Sequence, residues 1–153
     1  MRILRVLMIG LAFLLATTGS VTAQDKEEQI KSLVDKAAAT FKEKGRDYTL
    51  KLIGTISGPF RKGELYVFAV STDNLMLAHP ANRKLVGKDM TDFKGAKGKQ
   101  LFKEFNKVAM EQGSGWVEYY WLRHGEQEPT LKRSYIKKVP DEDIYVGGGY
   151  YIK

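Results

Sequence analysis

The chain has 153 residues, no cysteine and two histidines, and its 25 Lys and Arg against 18 Asp and Glu give a formal charge of +7. The missing cysteines exclude disulfides, thiolate catalysis and Cys-based metal sites, and the length suits one domain with a real core. The basic residues are scattered rather than blocked, so the charge reads as solvation with some attraction for anions, and no nucleic-acid partner is expected.

Arg2 and Arg5 precede an apolar run from Val6 to Ala16, and Val21-Thr22-Ala23 supplies the small residues that a signal peptidase reads. The run is well short of the ~20 residues that a membrane-spanning helix needs. A signal peptide over residues 1–23 is therefore expected, with an uncleaved N-terminal anchor as the alternative. No cysteine follows to carry a lipid. With Arg2 and Arg5 removed, 23 basic residues face 18 acidic ones, leaving a +5 domain over 24–153.

From Asp25 onward Ile30, Leu33, Val34, Ala37, Ala38 and Phe41 fall three and four apart, which draws one stripe along a helix. Asp25 with Glu28 fits a capping box, and Gly45 is placed to stop the helix. After a stretch holding Gly54, Gly58 and Pro59, the β-branched and aromatic run Leu65–Val70 turns at Asp73-Asn74 into Leu75–His79, which reads as a hairpin. No period holds between Pro80 and Lys97, so a long surface loop is expected there. Leu101, Phe102, Phe105, Val108 and Ala109 restore the helical period up to Gly113. Three strand-like runs follow: Trp116–Leu122, Leu131–Val139 and Ile144–Ile152. Their short connections predict an antiparallel meander. The order helix, two strands, helix, three strands is α+β, with the helical stripes packed on one sheet.

Catalytic readings lack parts. His79 and His124 stand in no metal-ligand spacing, and none of Ser57, Ser71, Ser114 and Ser134 sits in a nucleophile elbow. Gly147-Gly148-Gly149 is followed by no Lys-Ser or Lys-Thr and opens no helix, so it reads as a bulge or a close approach rather than a phosphate cradle. No cofactor, metal or enzymatic activity is expected. What remains is a concentration of large amphipathic side chains, among them Tyr66, Trp116, Tyr119, Tyr135 and Tyr151. Lys132, Arg133 and Lys137 alternate with Tyr135 along one strand of the sheet that carries Trp116 and Tyr119. Apolar walls with a few cations and hydroxyls suit a carboxylate. His79, just before Pro80, reads first as a structural hydrogen-bonding residue and only second as a ligand contact.

Gly58-Pro59-Phe60, Leu65-Tyr66-Val67-Phe68, Ala78-His79-Pro80, Leu85-Val86-Gly87-Lys88 and Gly115-Trp116-Val117-Glu118-Tyr119 occur in the order seen in single Cache domains of type 2. Ser134-Tyr135-Ile136-Lys137-Lys138-Val139 and Val146-Gly147-Gly148-Gly149-Tyr150 resemble that family's last two strands. The resemblance, from about residue 27 to the C-terminus, implies a PAS-like fold: a long N-terminal helix on a five- or six-stranded antiparallel sheet, with a pocket between the sheet and its covering loop and helix. It also implies an extracytoplasmic sensing role with a membrane receptor or histidine kinase as partner and a small organic acid or similar metabolite as ligand. Carried over by motif, Tyr66, His79, Trp116, Tyr119, Lys132 and Tyr135 are the ligand-site candidates, with Lys132 as the carboxylate's partner. The odd spacing of Trp116 and Tyr119 sets them on opposite faces unless a bulge intervenes. Because the sequence ends directly after the last strand, the expectation is a free periplasmic binding domain. The alternative is an interaction domain with a vestigial pocket, whose first helix serves as a homodimer or receptor interface.

Overall fold

The computed structural model describes residues 22–152. The expected signal sequence lies outside the described residues except for Thr22 and Ala23. Those two open the first helix, α1 (Ala23–Lys44). The cap differs from the expected one: Thr22 is the N-cap, its hydroxyl accepting the Asp25 N–H at 3.2 Å while the Asp25 carboxylate accepts the Thr22 N–H at 2.8 Å. Asp25 is thus the third helical residue of the box rather than its first, because Ala23 and Gln24 already have helical geometry. Ile30, Val34, Ala37, Ala38 and Phe41 are buried, as the stripe predicts. Gly45, at φ 81°, ends the helix with its N–H on the Phe41 carbonyl.

A second helix, α2 (Arg46–Ile53), follows at once and was not predicted. Eight residues with only Thr49 and Ile53 buried are too few to display a period. The sheet consists of β1 (Arg61–Lys62), β2 (Leu65–Ser71), β3 (Met76–Ala78), β4 (Ser114–Leu122), β5 (Pro129–Lys138) and β6 (Ile144–Tyr151). Its order is β1-β2-β6-β5-β4, with β3 on the outer edge of β2, and every pairing is antiparallel. Helix α3 (Leu101–Gln112) matches its prediction, Gly113 included. Asn74 takes φ 67° in the β2–β3 turn, a conformation Asn tolerates better than most residues. Among the described residues no helix is long and apolar enough to cross a membrane.

The last strand is the central one. β6 lies between β2 and β5 and is buried along its whole length. Strand alternation divides the sheet into two faces. Leu65, Val67, Ala69, Trp116, Tyr135, Ile144, Val146 and Tyr150 pack beneath α1, whereas Tyr66, Phe68, Val70, Val117, Tyr119, Ile136 and Tyr145 pack toward α3 and the 80–100 loop. The pairings of β6 run without a register shift through Gly147, Gly148 and Gly149, so the triplet is no bulge. A Cβ on Gly147 would come within 2.5 Å of Phe68 Cζ, and one on Gly148 would meet Val34 of α1 at 3.2 Å. The glycines therefore admit large neighbours on both faces. Residues 80–100 form the expected long loop, which leans on β3 through Met76 N–H to the Lys88 carbonyl (3.0 Å) and buries Met90.

Candidate functional site

On the α3 face a cavity of about 890 Å³ opens between the sheet and the long loop, lined at its inner end by Tyr66, His79, Trp121 and Tyr151. The sheet register explains what lies behind these rings. Tyr119, Lys132 and Tyr151 are cross-strand partners on β4, β5 and β6, so they form one row. Lys132 is 1% exposed. Its Nζ donates to the Tyr66 hydroxyl at 2.9 Å and lies 4.3 Å from the Tyr66 ring centroid and 5.2 Å from that of Tyr151. Among the described residues it pairs with no carboxylate. Burial alone pulls its pKa down to about 7.

The same burial pushes Tyr66 up to about 12, with nearby Arg61 pulling the other way. Tyr66 is therefore a neutral phenol whose oxygen accepts from Lys132, which leaves its own O–H free to donate. His79 is buried too, and burial, with the Lys132 charge second, takes its pKa down to about 3. The ring is neutral at physiological pH. Its Nδ1 accepts the Asn82 backbone N–H at 2.9 Å, so the hydrogen sits on Nε2 and makes that atom a donor. His79 is fixed by near-parallel Phe68 and Trp121, at centroid distances of 6.1 and 6.4 Å. Tyr119, with its pKa raised by burial, closes the floor through a 2.9 Å hydrogen bond with Ser134 Oγ. The inner end thus offers two neutral donors backed by one buried amine.

Over residues 19–153 the sequence matches the Cache domain family. The chain belongs to it. The fold is similar to a Cache chemosensory domain whose structure gives a basis for carboxylic acid recognition, at 26% identity and a TM-score of 0.74, covering 86% of this chain and 99% of that one. It is also similar to a periplasmic sensor domain of a chemotaxis protein, at 26% identity and a TM-score of 0.66, over 83% of this chain and 90% of the other. The methyl-accepting chemotaxis protein McpP of Pseudomonas putida is 35% identical over 77 residues, which is 50% of this chain and 14% of McpP. Cache domains are extracytoplasmic sensor modules.

In this Cache domain the six residues singled out from the sequence divide between the two faces. Tyr66 and His79 line the cavity, and Lys132 and Tyr119 lie directly behind it. Trp116 and Tyr135 are on the other face, 5.2 Å apart between ring centroids in the layer beneath α1. The reason is strand parity: Trp116 and Tyr119 are three apart on β4, as are Lys132 and Tyr135 on β5. Arg133 and Lys137 share the Tyr135 face and are engaged there, pairing with Glu27 and Asp35 of α1 at 2.6 Å. The basic residues of β5 therefore do not act as one group. Sequence reasoning misses three residues that line the cavity, Tyr151, Trp121 and Arg123. Tyr151 was recoverable only from register, which sets it beside Lys132; Arg123 sat in a loop without any pattern.

Proposed function

We propose that this Cache domain is an extracytoplasmic binding module for a small organic acid, and that the acid's carboxylate sits at the inner end of the cavity. The observation that carries this reading is Lys132, a buried amine without a protein counter-ion among the described residues. A buried charge is costly unless it is paired, and an incoming carboxylate supplies the missing partner. The carboxylate accepts from Tyr66 O–H and His79 Nε2–H, while Lys132 stabilises it electrostatically through the Tyr66 hydroxyl. Trp121 and Phe93, 5.5 Å apart, give the carbon skeleton an apolar wall. The likeness to a chemosensory domain known for carboxylic acid recognition supports the same choice.

The domain works in the periplasm, delivered by cleavage of residues 1–23, and its bound ligand is read out by a chemoreceptor or histidine kinase. The rival reading, an interaction domain with a vestigial pocket, calls for a filled core, and a cavity of about 890 Å³ weighs against it. Isothermal titration of the purified protein with acetate, lactate, pyruvate and larger acids tests the proposal. Saturable binding that weakens roughly 10- to 100-fold in Lys132→Met is expected, the usual effect of losing a charge-assisted contact. Binding indifferent to Lys132→Met and Tyr66→Phe together would overturn the site.

A further inference from the structure

The cavity is larger and more cationic than a two- or three-carbon acid requires. At about 890 Å³ it falls in the upper part of the ~300–1,000 Å³ range of sites that enclose much bigger ligands. Around its walls stand Arg61, Arg83, Lys84, Lys94 and Arg123, against Glu64 as the sole lining carboxylate among the described residues. Such an excess of one sign in a concave surface focuses the field on an anion and raises its local concentration.

Arg123 is the best held of these cations. Its guanidinium lies 4.4 Å from the Tyr151 ring centroid, the same ring that Lys132 approaches to 5.2 Å. The two cations thus share one aromatic neighbour. Glu126 Oε1, 3.4 Å from Nη1, pairs with the Arg123 fork from one side, and the Arg123 side chain stays part-exposed. Stacking and a single ion pair leave a preset, incompletely satisfied fork, the geometry that recognises carboxylate and phosphate oxygens in pairs. Arg61 is oriented as well, its Nε donating to the Gly63 carbonyl at 3.1 Å.

We propose that the ligand carries two anionic groups: a carboxylate that meets Tyr66 and His79, and a second group, carboxylate or phosphate, that binds Arg123 nearer the mouth. This rests on the carboxylate reading of the inner end and adds a specificity-determining residue to it. Arg61 assists, and the exposed Arg83, Lys84 and Lys94 draw the polyanion in.

The test is isothermal titration of the full chain at pH 7 and 0.15 M salt with butyrate, succinate and phosphoglycolate. At least one of the two-headed acids, succinate or phosphoglycolate, is expected to bind tenfold or more tighter than butyrate. That advantage should vanish in Arg123→Gln while butyrate's affinity stays unchanged, and the tighter of the two identifies the second group. Butyrate binding as tightly as both would overturn the second subsite and leave the inner one standing. An advantage that survives Arg123→Gln combined with Arg61→Gln would also overturn it. Binding of none of the three contradicts the carboxylate reading itself, and this inference with it.

Discussion

Lys132 and Tyr66 reach each other across the central strand, ammonium to phenol at 2.9 Å, from the two strands that flank β6. Gly149 makes this crossing possible, because it is the β6 partner of Tyr66 and of Ser134 and has no side chain to stand between them. A buried lysine held in this way bears directly on stability. Its folded pKa of about 7 lies below the unfolded value of about 10.4, so between these limits the unfolded chain binds more protons. The unfolding free energy contributed by this group therefore rises as pH increases from about 7 and levels off near 10.4, while below 7 the full penalty of a buried charge applies. Lys132→Met should be more stable than the native chain by a few kcal/mol at pH 6, with the gap closing above pH 7. Urea unfolding at pH 6, 7, 8 and 9 checks the trend, and a pH-independent gap would contradict it.

Ligand affinity should follow the same proton with the opposite sign. A carboxylate favours charged Lys132, so affinity is flat below the free-state pKa of about 7 and falls up to tenfold per pH unit above it. His79, with its pKa near 3, contributes no inflection in this range. Titrations from pH 5.5 to 9 should show the break in the native protein and in His79→Gln, and lose it in Lys132→Arg, whose side chain stays charged.

The glycine triplet is a packing requirement that substitution exposes. Gly147→Ala drives its methyl against Phe68 and Ile136, and Gly149→Ala against Ser134 and the Arg133 carbonyl. Each should cost about 1–3 kcal/mol, Gly149→Ala the more because a backbone atom cannot step aside. Gly63→Ala meets nothing within 4 Å and, at φ 59°, carries only backbone strain of roughly 1 kcal/mol. Thermal unfolding should find Gly149→Ala the least stable, Gly147→Ala next and Gly63→Ala the least affected.

The first helix offers a test of processing. Thr22 caps α1, yet the proposed cleavage after Ala23 removes it. An exported protein with the intact mass of residues 24–153 is expected. The full capping box is worth about 1 kcal/mol, so a version beginning before Thr22 should unfold at a higher temperature than the mature one. A mature mass that retains Thr22 would contradict the proposed cleavage site.

The fold was largely legible because its signals are local. The α1 stripe, the β2–β3 hairpin, α3 with Gly113 and the three closing strands each announce themselves by a period of side chains or a turn residue. Helix α2 did not, being shorter than its own pattern. The site was less legible because it depends on register. Parity along β5 separates Lys132 from Tyr135, and parity along β4 separates Tyr119 from Trp116; this much the sequence contained. That β6 lies between β2 and β5, bringing Tyr66, Tyr151 and Lys132 together, is a long-range fact that no local period encodes. The Gly147–Gly149 run hinted at it, since only a strand crowded on both faces needs three successive residues without side chains.

The most direct test of the account is the position of a bound acid in a crystal of the complex. A carboxylate is expected within hydrogen-bonding distance of Tyr66 O–H and His79 Nε2, with Lys132 behind it and Trp121 along its carbon chain. An acid found instead beneath α1, against Trp116 and Tyr135, or one touching neither Tyr66 nor His79, would contradict it.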